Sequence, residues 1–170
     1  QERLVAVARE GGVRLTGPNC MGMINTRMPC ALSINAVLDI DRLIPGRVGL
    51  VSQSGSVMGA LLSRGQARGF GFSKLVSVGN ECDLSVGEIV DVLADDADTD
   101  VILLFLETIR KPALLAKAAA RAHAVGKPMV VYKLGRSEVA RELAASHTGA
   151  MTGSDDSANA FFRRNAIVRV

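Results

Sequence analysis

This 170-residue chain has no tryptophan and one tyrosine, so flat platforms for stacking nucleic-acid bases or an isoalloxazine ring are scarce. Two histidines and three cysteines are present. Cys20, Cys30 and Cys82 form no CxxC pair, and with so few imidazoles a metal site is not expected. No GxxxxGK(S/T) loop occurs. Gly69-Phe70-Gly71 lacks the third glycine of a dinucleotide fingerprint and precedes a strand-like run instead of following one. A nucleophile elbow needs glycine two residues either side of its serine, but Ser54 has Ser52 and Ser56 there, which disfavours a serine hydrolase. The net charge is +3 and the Lys and Arg are scattered, so neither nucleic acid nor a membrane surface is an expected partner. No apolar run is long enough for a bilayer and no signal-peptide pattern is visible. An odd number of unpatterned thiols fits a reduced, cytoplasmic compartment.

What is present is a chain with 48% hydrophobic and 22% charged residues, enough to bury the core of about one domain. It opens inside a helical pattern, QERLVAVAREGG, and its last residues are an apolar strand-like run, so it reads as a piece of a longer polypeptide. Leu4, Val5 and Ala8 recur at helical spacing, Gly11-Gly12 stops that helix, and Val13-Arg14-Leu15 reads as a strand leading into Gly17-Pro18-Asn19-Cys20. Between Met21 and Pro45 no period dominates, and this stretch reads as a crossing segment.

From Arg47 onward a unit repeats. Val48–Val51, Lys74–Val78, Val101–Leu106 and Pro128–Lys133 are apolar runs, and the first three are followed by helical patterns near Val57–Arg68, Ser85–Ala94 and Ala113–Ala124. Short apolar strands without alternation, each followed by a helix, imply a parallel sheet covered on both faces. The expected fold is α/β, a doubly wound parallel sheet. Ligands of such sheets sit at the carboxyl ends of the strands, where the turns gather.

Four groups in the turns and the irregular segment are chemical candidates. His147 lies in Ser146-His147-Thr148-Gly149-Ala150-Met151-Thr152-Gly153, where small residues leave the ring accessible among backbone N–H groups and hydroxyls. Such surroundings suit an imidazole that carries a phosphoryl group. Ser54-Gly55-Ser56 opens a helix and offers an anion its free N–H groups, although capping by Ser54 or Ser56 is the more ordinary role of such residues. Glu107 ends the Val101–Leu106 strand and could orient an imidazole through one ring nitrogen, or could simply meet solvent. Cys20 and Cys30 could lie near a thiol substrate or be buried filler. His123, on an Ala-rich helix, reads as a surface or packing residue.

Taken in order, Gly17-Pro18-Asn19-Cys20-Met21-Gly22, Val51–Ser56, Ser77-Val78-Gly79-Asn80-Glu81 and Ser146–Ala150 with Gly153-Ser154-Asp155 resemble the nucleoside-diphosphate-forming acyl-CoA synthetases, relatives of the succinyl-CoA synthetase alpha subunit. The resemblance implies a flavodoxin-like domain at 47–170, preceded by the end of a CoA-binding Rossmann domain at 1–25 and a linker at 26–46. It implies that His147 takes phosphate from an acyl phosphate and passes it to a nucleoside diphosphate. Glu107 then holds the histidine, Ser54, Gly55, Ser56 and Gly149 hold phosphate, and Asn19, Cys20, Gly79 and Asn80 lie near substrate and CoA. CoA is a substrate, and ATP/ADP or GTP/GDP with Mg2+ belongs to an ATP-grasp portion outside these residues. No bound cofactor is expected here. CoA-binding and ATP-grasp domains are the expected partners, in the same polypeptide or another subunit, and the whole is expected to form an oligomer. Two other readings compete. One is a regulatory acyl-CoA-binding module fused to a protein acetyltransferase, which has no need of the histidine. The other is a flavin-binding protein, disfavoured by the scarcity of aromatics.

Overall fold

The computed structural model describes residues 1–28, 30–35, 38–39, 42–135 and 155–170. Among these, strands β1 (Met23–Asn25), β2 (Cys30–Leu32), β3 (Val48–Ser52), β4 (Lys74–Ser77), β5 (Val101–Leu106), β6 (Met129–Lys133) and β7 (Ile167–Arg169) form one sheet in the order β2-β1-β4-β3-β5-β6-β7. Helices are α1 (Glu2–Glu10), α2 (Gly55–Gln66), α3 (Val86–Asp95), α4 (Pro112–Ala124) and α5 (Asp155–Arg164). The five strands from β3 to β7 are parallel, and counted among themselves they run 2-1-3-4-5, the flavodoxin-like order.

The unbroken apolar runs have the cause expected of them. Leu50 and Val51 are 1% and 0% exposed yet face opposite sides of the sheet. Leu50 joins a core cluster with Met58 and Leu62 of α2. Val51 joins a larger cluster with Val90 and Leu93 of α3, Leu115 of α4 and Phe162 of α5. Helix starts follow side-chain chemistry: Ser85 and Glu88 form a capping box on α3, and Pro112 opens α4, where a missing N–H costs nothing.

Three stretches differ from the sequence reading. Val13-Arg14-Leu15 forms no strand. Its polar groups turn to the loop before α3 instead, where the Leu15 N–H donates to the Asp83 carboxylate at 2.9 Å and the Leu84 N–H donates to the Leu15 carbonyl at 3.0 Å. Residues 21–45, read as irregular, contain the β1–β2 hairpin, which pairs Ile24 with Ala31 and lies antiparallel on β4. Its turn is closed by Asn25, whose Oδ1 accepts from the N–H groups of Arg27 and Met28. Three-residue strands are too short to show a period. Helix α5 also went unread, although Asp155 and Asp156 in its first turn and Arg163 and Arg164 in its last suit the helix dipole. No helix among the described residues is long and apolar enough to cross a membrane.

Candidate active site

Strands β3 and β5 are neighbours, but α2 after β3 packs on one face of the sheet while α4 after β5 packs on the other. This reversal opens a crevice at the carboxyl ends of the two strands. Ser52-Gln53-Ser54 and Glu107-Thr108 stand at that point.

The turn after β3 is fixed by its own serines. The Ser52 hydroxyl donates to the Ser54 carbonyl at 2.6 Å and accepts from the Ser54 N–H at 3.1 Å. Ser54 is the N-cap of α2, its Oγ accepting from the Val57 N–H at 3.3 Å, so the capping role is real. Capping leaves the first-turn amides of Gly55 and Ser56 outside the helical ladder, facing the crevice end of the helix dipole. A Cβ on Gly55 would lie 2.0 Å from Met21 Cγ, so the Gly17–Gly22 turn abuts the helix start.

That turn also interlocks with the turn after β4. The Asn80 N–H donates to the Pro18 carbonyl and the Cys82 N–H to the Gly17 carbonyl, both at 2.9 Å. Gly79 has φ +54°, and a Cβ there would lie 2.2 Å from the Pro18 carbonyl oxygen. Asn19, at φ 59°, is exposed beside it. Cys20 is half-buried, with Sγ 3.9 Å from the Thr16 hydroxyl, and Cys30 and Cys82 are half-buried as well, so none of the three is buried filler. His123 is exposed in the last turn of α4.

Glu107 is half-buried at the end of β5, and its carboxylate makes no hydrogen bond or ion pair with a described residue. Its main chain is held by a residue that sequence reasoning left without a role. Gln53 Oε1 accepts from the Glu107 N–H at 2.6 Å and the Thr108 N–H at 3.0 Å. Gln53 Nε2 donates to Glu81 Oε1 at 2.5 Å and to the Thr108 carbonyl at 2.9 Å. Glu81, 6% exposed, completes the link by accepting from the Val86 N–H of α3 at 2.9 Å. Burial pushes the Glu81 carboxyl above its ordinary value, opposed by the Val86 and Gln53 donors and the charges of Arg110 and Lys111. On the far side of Glu107, the β6 residue Lys133 is 6% exposed, with Nζ donating to the Leu134 carbonyl at 2.5 Å. Burial pushes this ammonium down, Arg169 adds to the effect, and Asp155 and Glu107 oppose it. A cleft of about 230 Å³ lies between Lys133, Thr108 and Phe161.

Of the residues singled out in the sequence, Asn19, Cys20, Ser54, Gly55, Ser56, Gly79, Asn80 and Glu107 are thus brought to one edge of the sheet. His147 and Gly149 lie outside the described residues.

The fold is shared with known proteins. The succinyl-CoA ligase like flavodoxin domain matches residues 45–170. The chain belongs to this family. ADP-forming acetate-CoA ligase I of Archaeoglobus fulgidus is 40% identical over 173 residues, covering 99% of this chain and 24% of the ligase. A trans-feruloyl-CoA synthase from an unknown prokaryotic organism is 41% identical over 155 residues, covering 90% of the chain and 22% of the synthase. Among solved structures, the Ca. Korarchaeum cryptofilum dinucleotide-forming acetyl-coenzyme A synthetase 1 in complex with phosphate and ADP superposes with a TM-score of 0.89 at 32% identity. That match covers 99% of this chain and 36% of the synthetase chain. The chain therefore spans about a quarter of the length of the two curated relatives. Both are named for making acyl-CoA, and the regulatory reading draws no support from them.

Proposed function

We propose that this chain is the phosphate-relay part of a nucleoside-diphosphate-forming acyl-CoA synthetase. Acyl-CoA and orthophosphate give acyl phosphate and free CoA. His147 then attacks phosphorus with one ring nitrogen, releasing the carboxylic acid, and the phosphohistidine passes its phosphoryl group to ADP or GDP. Each step runs in either direction. Glu107 accepts the N–H of the other ring nitrogen and stabilises the cationic phosphorylated ring. The amides of Gly55 and Ser56, with Gly149, face the phosphoryl oxygens, where a helix N-terminus contributes about 0.3–1 kcal/mol when exposed and up to about 2 when partly buried. Asn19, Cys20, Gly79 and Asn80 stand where the thioester and CoA would approach.

The observation that carries this reading is the meeting, at the β3/β5 switch point, of the Ser54-capped N-terminus of α2 with the half-buried strand-end carboxylate of Glu107. ATP-grasp and CoA-binding portions supply the nucleotide and CoA sites, in the same polypeptide or in another subunit of an oligomer. Residues 1–25 and 26–46 then form the end of the CoA-binding domain and the link, their hairpin laid against the flavodoxin-like domain at 47–170. Mg2+ comes with the nucleotide in the ATP-grasp portion. The acyl group is left open by relatives named for acetate and for ferulate. We place the reaction in the cytoplasm, a reduced compartment that suits the free thiols of Cys20, Cys30 and Cys82.

The test is labelling of the intact polypeptide with γ-labelled nucleoside triphosphate. We expect acid-labile, base-stable label on His147, its complete loss in His147→Asn, and a loss in rate of about tenfold or more in Glu107→Gln, each tenfold being about 1.4 kcal/mol of barrier. Label that survives His147→Asn overturns the assignment.

A further inference from the structure

Gln53 is 5% exposed and uses its whole hydrogen-bonding capacity, two acceptor and two donor positions, on four different groups. Its orientation follows from those partners. The oxygen faces two N–H donors and the nitrogen faces a carboxylate and a carbonyl, so a flipped amide would oppose like with like on both sides. The side chain takes over where the strand ladders stop. Among the described residues β3 pairs with β5 only as far as Ser52 with Phe105, and β6 pairs with it only as far as Leu106 with Lys133. One more main-chain bond on each side, Gln53 N–H to the Phe105 carbonyl and Leu134 N–H to the Leu106 carbonyl, closes the ladder just before Glu107.

We propose that Gln53 is a positioning residue for Glu107, its side-chain amide standing in for a missing strand at the first two residues past β5. Glu81 is the anchor of this clamp. It takes one Gln53 proton on Oε1 and the first amide of α3 on Oε2, so the heading of the Glu107 main chain is tied through one side-chain pair to the start of α3. A strand end is the place where a backbone frays most easily, and a carboxylate that must meet a ring nitrogen within hydrogen-bond range does not tolerate a drift of one ångström. The inference rests on the reading of Glu107 as the partner of His147.

Gln53→Met keeps the length of the side chain and removes all four bonds. In the intact polypeptide we expect amide exchange at Glu107 and Thr108 to quicken by about tenfold or more. The rate of His147 phosphorylation should fall by about tenfold or more, with the KM for the nucleotide kept within about twofold, because the clamp touches no nucleotide. The exchanged pair, Gln53→Glu with Glu81→Gln, restores an oxygen for the two amides and a bond of reversed polarity between the side chains. It should recover at least about threefold of the rate lost in Gln53→Glu alone. If Glu107→Gln slows phosphorylation but Gln53→Met does not, the positioning role fails while the reading of Glu107 stands. If neither slows it, both fail. Should Gln53→Met not fold, the exchanged pair decides: recovery supports the clamp and no recovery overturns it.

Discussion

Gly79 is held by two demands at once, a φ of +54° and a Pro18 carbonyl oxygen 2.2 Å from where a Cβ would stand. Gly126, after α4, has the first demand without the second: φ is +75° and nothing lies within 4 Å. Alanine at Gly126 therefore meets only left-handed backbone strain, about 1–2 kcal/mol. Alanine at Gly79 must also push apart the two turns that carry Asn19 and Asn80, adding about 1–3 kcal/mol. Denaturant unfolding of the two variants should separate them by at least about 1 kcal/mol, and equal losses would mean that the turns do not interlock. Residues of this kind were half legible. Ser54 and Glu107 announce themselves because a polar group directly after an apolar strand falls at the sheet edge. Gln53 and Glu81 did not, because each looks like any polar turn residue until the fold folds β3, β4 and β5 side by side and buries the pair. Local sequence carries no sign of a bond made across 28 residues.

At the scale of elements, α1 shows the opposite case, a helix plain in the sequence whose attachment was not. None of its residues is buried, so packing does not hold it. Charge does: Arg9 and Arg14 both bind Asp83, at 2.6 and 2.8 Å, and the Asp83 side chain is 0% exposed. The hydrogen bonds of Arg14, the Leu15 N–H and Arg9 hold that carboxyl well below the usual carboxylate range. The sign follows from the depressed folded value. The stabilisation is full above the ordinary aspartate pKa of about 3.9 and is lost as pH falls from there through the folded-state value. Acidification should thus loosen α1 and the Val13–Leu15 stretch before the sheet melts, which amide exchange within Glu2–Leu15 would register. In Asp83→Asn the segment should be loose already at pH 7 and keep only the smaller acid response of the Arg14–Glu88 pair, whereas an undiminished acid response would place the switch on another group. The run Val13-Arg14-Leu15 reads as a strand because its apolar ends fit one; the arginine between them, bound for Asp83, is what takes it out of any ladder.

At the scale of the whole molecule, the doubly wound sheet was legible because parallel strands are walled on both sides and so cannot alternate. One edge of the sheet was not, because β1 and β2 have three residues each and lie partly in solvent, whereas the run at β7 reads as a strand. That asymmetry has a mechanical consequence. Strand β5 is the middle one of the five parallel strands, paired over five residues with β3 on one side and five with β6 on the other, and it ends just before Glu107. Leu104, 3% exposed, packs in the cluster shared by α3, α4 and α5. Leu32, on the outermost strand β2, is 67% exposed. Truncating the first opens a cavity in the element that carries the site, and truncating the second removes side chain that water already reaches. Leu104→Ala should cost about 2–5 kcal/mol and lower the stability of the parallel strands together if they unfold as one cooperative unit. Leu32→Ala should stay within about 0.5 kcal/mol. Denaturant midpoints measure both. Native-state exchange adds the spatial check: amides of β5 should open only with the whole sheet, while those of the β1–β2 hairpin open locally at lower free energy. A Leu104→Ala variant that loosened β6 and β7 yet left β3 and β4 protected would show that the sheet is two cooperative units divided at the β3/β5 crevice, and the candidate site would then sit on a hinge instead of a rigid edge.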